Sequence, residues 1–451
     1  ITGMASPLVG RDSEMTQLAA AFDSLRAGQG GIVGVMGEAG LGKSRLIAEV
    51  RQTMNSAPIR WLEGKSQSYQ TTTPYAPFVN LLAASAGLPA GAKDPAQYIH
   101  LREQVERYLP GRGDELVPFL AQPLGLPIID KDAELVQFLE PPVLRGRVFE
   151  AIVAWIEALA AEQPTVLYLD DVHWIDPTSL DLLRALLPTV ERMPLMILLA
   201  FRPRREDPSW HFHETTGQSY PQWYTTIVLR PLDQAQGRAL VGNLLAIEDL
   251  PESIRGLILE KAEGNPFFLE EIIRSLLDAG LVEQQNGHWR ATADIIEVQI
   301  PDTLTGVITA RLDRLGDVDK QVLQAASVLG RDFDFDTLAD LLDGSLRLED
   351  HLTTLRQREL ILPLAAGHYT FKHGLTQEAA YESLLLSRRR QLHHLAADII
   401  RNREPERAAE IARHFLEARQ PAQAIPYLVE AGHQAARTFA APEASGYYNQ
   451  A

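Results

Sequence analysis

The stretch that most restricts this chain is Gly37-Glu38-Ala39-Gly40-Leu41-Gly42-Lys43-Ser44, which carries the spacing G-x-x-x-x-G-K-[ST] without gap or substitution. Before it, Gly31-Ile32-Val33-Gly34-Val35-Met36 is short, apolar and β-branched, as a buried parallel strand requires. After it, Arg45-Leu46-Ile47-Ala48-Glu49-Val50 places its apolar residues on one helical face. Strand, glycine loop and helix in that order turn the pattern into a mechanism. The backbone of Gly37, Glu38, Ala39, Gly40, Leu41, Gly42 and Arg45 can curl around the β- and γ-phosphates of a nucleotide, facing a helix N-terminus. Lys43 is placed to reach the terminal phosphates and the Ser44 hydroxyl to ligate Mg²⁺. A glycine-rich turn that binds nothing is the alternative. Lysine and serine in register between a strand and a helix argue against it.

At 451 residues the chain exceeds one core, and two to four domains are expected. A net charge of −17 argues against general binding to nucleic acid or anionic membranes. There is no cysteine, which excludes disulfides and cysteine-based zinc sites and fits a reducing, cytoplasmic setting. No apolar run reaches the length of a membrane span, Leu195 to Phe201 being strand-length, and no secretory signal is present. The chain starts at Ile1 rather than methionine, so further sequence upstream is expected.

In chain order, Pro7 to Glu14 is a turn feeding a helical pattern of Met15, Leu18, Ala19, Phe22 and Leu25, with an ordinary N-cap at Asp12 or Ser13 as the alternative to a functional turn. Ile59 to Glu63 reads as a second strand. A Pro- and Gly-rich section from Gly64 to Glu150 reads as a helical insertion, with amphipathic pieces near 76–86, 96–109 and 133–139. Thr165-Val166-Leu167-Tyr168-Leu169-Asp170-Asp171 is a buried strand delivering two carboxylates at the edge where ligands sit in doubly wound α/β sheets. Asp170 would hold Mg²⁺ with Ser44, and Asp171 would orient the attacking water. A pair of capping aspartates ahead of a helix over 179–187 is the competing reading. His173, a lone histidine, reads as structural. Leu195 to Phe201 is another buried strand, after which Arg202 is positioned to meet a γ-phosphate; a solvated basic loop with Arg204 and Arg205 is the alternative. Thr225 to Leu229 completes five strands. Beyond Pro231 the chain reads as helical, with Gly264 or Asn265 capping a helix opened by Pro266. Residues 300–390 read as two helices and a hairpin, Ile361–Leu364 against His368–Phe371 across Ala365-Ala366-Gly367. Helices near 406–418, 421–438 and 442–451 follow.

Taken together, Val9-Gly10-Arg11, Gly37 to Ser44, Leu169-Asp170-Asp171-Val172-His173-Trp174, Phe201-Arg202-Pro203, Gly264-Asn265-Pro266-Phe267, Ile300 to Leu304 and Phe371-Lys372-His373-Gly374-Leu375 resemble the motif series of STAND-class signal-transduction ATPases. The likeness is greatest to the AAA-like regulatory modules of bacterial class III nucleotide cyclases and LuxR-type regulators. It implies an α/β P-loop NTPase with a parallel five-stranded sheet of the ASCE type over 1–230, the insertion occupying 64–150. A helical lid over 231–300 would follow, then a winged helix over 301–390 and the start of a tetratricopeptide-like array over 391–451. Such an array continues beyond Ala451 by expectation. By the same resemblance Val9, Gly10 and Arg11 flank the adenine, Pro266 packs near it, and His373 touches the β-phosphate of ADP. The family often has aspartate where this chain has Gly374.

The implied function is a switch that binds ATP or ADP with Mg²⁺, exchanges them, and hydrolyses ATP slowly. It would control a signalling effector such as a linked cyclase, or homo-oligomerisation, with an inducer or protein partner on the tetratricopeptide-like region. A LuxR-type DNA-binding regulator using this module as its sensor is the alternative. The acidic balance and the isolation of Arg388-Arg389-Arg390 weigh against direct DNA contact. A remodelling motor would need a trans arginine finger that no residue here suggests.

Overall fold

The computed structural model describes residues 7–54, 58–67, 70–89, 94–244, 247–248, 250–285, 288–292, 295, 298–344, 347–364, 367–438 and 440–451. The chain divides into two compact units, residues 11–230 with 431–450, and residues 1–10 with 231–430 and Ala451.

The first unit runs α1 (Asp12–Arg26), β1 (Gly31–Met36), α2 (Lys43–Thr53), β2 (Arg60–Lys65), α3 (Ala76–Ser85), α4 (Pro95–Tyr108), α5 (Gly113–Leu124), α6 (Asp130–Gln137), α7 (Pro141–Glu162), β3 (Thr165–Asp170), α8 (Pro177–Leu186), β4 (Leu195–Phe201), α9 (Pro208–Ser219) and β5 (Tyr224–Val228). The five strands are parallel in the order β2-β3-β4-β1-β5, the sheet expected from the motifs. β4 is buried along its whole length and β3 up to Asp170, which is why both are continuous apolar runs rather than alternating ones. The insertion holds more helix than its composition suggests. α5 carries Pro118 and Pro123 inside it, and prolines read locally as breakers. The expected end of the insertion at Glu150 falls inside α7. Leu144, Val148, Ala151, Ile152, Trp155, Ile156 and Leu159 form one unbroken buried face along that helix.

The second unit contains α10 (Gln234–Leu244), β6 (Ile247–Glu248), α11 (Glu252–Ala262), α12 (Pro266–Asp278), β7 (Val282–Gln285) and β8 (His288–Ala291). It continues with α13 (Leu304–Leu312), α14 (Asp317–Leu329), β9 (Asp332–Asp334), α15 (Phe335–Leu341), α16 (Leu348–Gln357), β10 (Ile361–Pro363), β11 (His368–Phe371), α17 (Gly374–Glu382), α18 (Leu386–Arg403), α19 (Ala408–Glu417) and the first part of α20 (Pro421–Arg437). The expected hairpin pairs Ile361 with Phe371, and β9, missing from the sequence reading, adds a third strand through Thr370 and Asp332. Ala365 and Ala366 of its connection lie outside the described residues. Two apolar cores, over 232–307 and 308–396, meet near the expected boundary at 300/301, and side chains tie them across it. Phe267 of α12 packs in one apolar core with Ile308, Leu323 and Phe371. Buried Arg311 of α13 pairs with Glu271 of α12 at 2.5 Å and with Asp278 at 3.0 Å. A boundary at 390/391 would cut α18. Arg389 in that helix lies over the Tyr381 ring at 4.3 Å and donates to the Tyr381 carbonyl at 2.8 Å, so it serves packing.

The final helix, α21 (Ala441–Gln450), belongs to the first unit. Asp176 caps α8 by accepting from Ser179 N at 2.8 Å, and Glu443 of α21 adds a second cap, accepting from Thr178 N at 2.9 Å and Thr178 Oγ1 at 2.8 Å. Burial pushes Asp176 up to about 7, against the Ser179 bonds and with Glu443 adding.

A buried histidine pair ties α17, α18 and α19. Arg413 donates to His414 Nε2 at 2.9 Å, which leaves the His414 proton on Nδ1. That nitrogen donates to His393 Nδ1 at 2.8 Å, and His393 Nε2–H then donates to Tyr381 Oη at 2.8 Å. Both rings are therefore neutral. Burial pushes His393 down to about 3, with Arg413 and Arg389 adding, and His414 well below its usual range. Below pH ~6.5 the unfolded chain takes up a proton that each folded ring refuses, so each costs roughly 1.4 kcal/mol of stability per pH unit. Urea unfolding at pH 6.5 and 5 will show a loss smaller by about 2 kcal/mol in His393→Gln than in the wild type; equal losses would mean the folded ring accepts the proton.

Candidate nucleotide site

β1 ends at Met36 and the loop of residues 37–42 leads directly into α2. Gly40 and Gly42 have φ of 83° and 93°, a region that costs a side-chain-bearing residue roughly 1–2 kcal/mol. The turn thus requires Gly42, the second glycine of the motif spacing, and Gly40, which falls at one of its variable positions. Lys43 is buried, and its Nζ donates to the Gly37 carbonyl at 2.7 Å and the Glu38 carbonyl at 3.1 Å. The ammonium lies back across its own loop. Burial lowers its pKa; Asp171 opposes that shift and Arg202 adds to it.

Ser44 Oγ donates to Asp170 Oδ2 at 3.3 Å, bringing together two residues 126 apart in sequence. Two hard oxygen donors side by side at a phosphate loop suit Mg²⁺, which takes few protein ligands and completes its shell with phosphate and water. Among the described residues no group of three or more His, Asp or Glu stands ready to hold a metal. Asp170 Oδ1 accepts from Asp171 N at 3.0 Å. Asp171 has φ of 54°, an unusual conformation that aspartate tolerates, and it turns the chain from β3 into a one-turn 3₁₀ helix over Val172–Trp174. Neither Asp170 nor Asp171 caps α8; Asp176 does. Met36 pairs with Phe201, and Gly37 N donates to the Phe201 carbonyl at 3.3 Å. Arg202 therefore comes level with the first glycine of the loop. It is half-buried, whereas Arg204 and Arg205 are exposed.

Arg11 reaches the phosphate loop through its side chain. Its guanidinium, in a residue 5% exposed, donates to the Leu41 carbonyl at 3.1 Å, the Arg230 carbonyl at 2.8 Å and Glu14 at 3.3 Å. It braces the phosphate loop against the segment after β5. It is also the residue that precedes α1, which has no side-chain cap from Asp12 or Ser13. Glu38, Ala39, Leu41 and Arg45 occupy the loop and the first turn of α2 as read.

The other expected contacts lie in the second unit. Val9 packs on the core of α10 to α12, and a Cβ at Gly10 (φ 66°) would come within 2.5 Å of Gln236. Pro266 opens α12, and Asn265 Oδ1 caps it by accepting from Phe267 N at 3.1 Å and Phe268 N at 3.2 Å. Gly264 is pinned, because Leu232 N donates to its carbonyl at 2.7 Å and a Cβ would meet the Leu232 carbonyl at 2.2 Å. His373 precedes α17 with its ring 4.2 Å from that of Phe267 and its Nε2 shut from solvent without a partner. Burial pushes it down to about 3, with Lys372, Arg274, Arg331 and Arg311 adding.

His173 reads as structural in the sequence. It is 5% exposed and neither ring nitrogen has a hydrogen-bond partner. Burial pushes it down to about 3, with Arg202, Lys43 and Arg204 adding.

Fold and site together define an AAA-type phosphate-loop fold in the first unit, with a helical C-terminal region following it. Residues 7–198 match the AAA ATPase domain family, and residues 233–290 match a domain family of unknown function. A solved STAND protein with a tetratricopeptide repeat sensor, from Pyrococcus horikoshii, superimposes at TM-score 0.52 with 14% identity, over 98% of this chain and 56% of that one. An uncharacterized protein of Rhizobium meliloti (strain 1021) is 26% identical over 465 residues, 99% of this chain and 43% of that protein. The chain spans about half the length of these relatives.

Replacing the brace tests its role. Arg11→Ala leaves the Leu41 and Arg230 carbonyls without their shared donor, and MgADP affinity measured by calorimetry will fall about tenfold, or ~1.4 kcal/mol. Unchanged affinity would mean that the loop holds its shape unaided.

Proposed function

We propose that this chain is a nucleotide-operated switch that binds ADP and ATP at the phosphate loop and hydrolyses ATP slowly. Exchange of one for the other controls an effector. The observation that carries this reading is the convergence of Lys43, Ser44 and Asp170 at one edge of the sheet, with Ser44 Oγ 3.3 Å from Asp170. Mg²⁺, when bound, neutralises charge on the β- and γ-oxygens, and Ser44 with Asp170 would hold it. Lys43 exchanges the Gly37 and Glu38 carbonyls for the terminal phosphates. Asp171 orients the attacking water from the end of β3; being shorter than a glutamate, it favours slow turnover. Arg202, level with Gly37, meets the γ-phosphate and registers its loss.

In the second unit Val9, Gly10 and Pro266 serve the adenine, and His373 serves the β-phosphate of ADP, with residues 301–390 acting as a regulatory winged helix. The helices over 391–451 act as tetratricopeptide-like repeats that receive an inducer or protein partner. A near-complete flip requires that nucleotide and inducer together favour one state by ~5 kcal/mol. The effector is a linked signalling domain such as a nucleotide cyclase, or assembly of several copies. Direct DNA contact through the 388–390 run is disfavoured by the packing of Arg389 on Tyr381.

Protein purified without added nucleotide and then denatured will release near-stoichiometric ADP on ion-exchange chromatography. An empty site would replace the locked-ADP switch with a freely cycling ATPase. Lys43→Ala will abolish binding of both nucleotides, and unchanged affinities would overturn the site. His373→Ala will weaken ADP more than ATP; equal effects would remove His373 from the mechanism.

A further inference from the structure

At the C-terminal edge of the five-stranded sheet, buried polar groups stand without partners. Both ring nitrogens of His173 and the Ser66 hydroxyl have none, in residues 5% and 2% exposed. The two residues flank one carboxylate-bearing turn. Ser66 follows β2 and donates its N–H to the Asp170 carbonyl at 3.0 Å, and His173 sits in the 3₁₀ turn that follows Asp171. That turn is fixed, since Trp174 N donates to the Asp171 carbonyl at 2.9 Å and the Trp174 ring lies 5.1 Å from the imidazole.

A buried polar group left unpaired costs roughly 1–3 kcal/mol, and folded proteins seldom retain one without a use for it. What could satisfy this imidazole is narrowed by its neighbours. Arg202, Lys43 and Arg204 all act on the ring electrostatically and all disfavour a proton on it. The missing partner is therefore an acceptor that enters with the ligand and is drawn to the same cations, as the terminal phosphate of a nucleotide triphosphate is.

We propose that His173 is a γ-phosphate ligand: its ring N–H donates to the terminal phosphate of ATP held by Lys43 and Arg202, and is left unpaired with ADP. The inference rests on the nucleotide-switch reading of the same site. It adds an uncharged donor to two cationic ones, and so a contact that distinguishes ATP from ADP without adding to the affinity for both. A structural imidazole packed on Trp174 would instead support either nucleotide equally.

The full chain is titrated by calorimetry with MgADP and with the Mg²⁺ complex of the non-hydrolysable analogue AMP-PNP, as wild type, His173→Ala, His173→Gln and Lys43→Ala. The expected result is an AMP-PNP affinity about tenfold weaker in His173→Ala with ADP unchanged within about twofold, and partial recovery in His173→Gln, which keeps an N–H. Equal weakening of both nucleotides, or no change in either, would overturn the assignment. Should His173→Ala fail to fold by thermal melting, His173→Gln carries the comparison, and a loss confined to AMP-PNP still supports the contact. A wild type that binds neither nucleotide, like Lys43→Ala, would overturn the nucleotide site itself.

Discussion

The register of the parallel sheet is the constraint on which the phosphate end of this protein depends. Residue by residue, β1 matches β4 from Gly31–Met196 to Met36–Phe201, and β2 matches β3 up to Lys65–Asp170. Gly37, Asp170 and Arg202 are far apart in the chain, yet each leaves its strand along one edge of one sheet. A slip of one residue would carry a carboxylate into the apolar layer and turn a leucine toward the ligand. The strands resist it because β4 is buried at every position, so any shift would also misplace packed side chains.

The parts of the molecule legible in the sequence are those whose signal is local. The strands β1, β3 and β4 are uninterrupted apolar runs, and the loop between β1 and α2 carries its own glycine spacing. The Asn265–Pro266 helix start is a cap and an N1 proline side by side. What escaped reading is held by partners distant in sequence. Arg11 finds its acceptors 30 and 219 residues away, and Glu443 caps a helix 265 residues upstream. β9 is three residues long and exists only because β11 lies beside it. That the buried ring of His173 has no partner is hidden for another reason, because composition carries no record of hydrogen bonding.

The two units handle buried charge differently. In the second, charge is kept and matched: Arg311 between Glu271 and Asp278, and Arg274 and Lys372 both on Glu359, at 2.5 and 2.6 Å. Such networks lose stability when one partner is removed, so they favour a single arrangement of α12, α13 and the turn around Glu359. In the first unit the phosphate loop keeps Lys43 bonded only to neutral carbonyls, with His173 unpaired nearby. Its charges are incompletely matched until an anion arrives.

That incompleteness bears on how tightly such a site can hold nucleotide. Lys43 must give up two hydrogen bonds to the loop before it can serve a phosphate, so the net gain is the difference between charge-assisted and carbonyl bonds rather than the whole of either. The loop itself changes little, because the left-handed Gly40 and Gly42 and the Arg11 brace already set its curve. Binding then spends little on ordering backbone and most of its discrimination on side chains at the terminal phosphate. In the proposed site the distinction between ADP and ATP would fall on the groups beyond the loop, Arg202 after β4 and the turn after β3, and the common affinity for both on the loop.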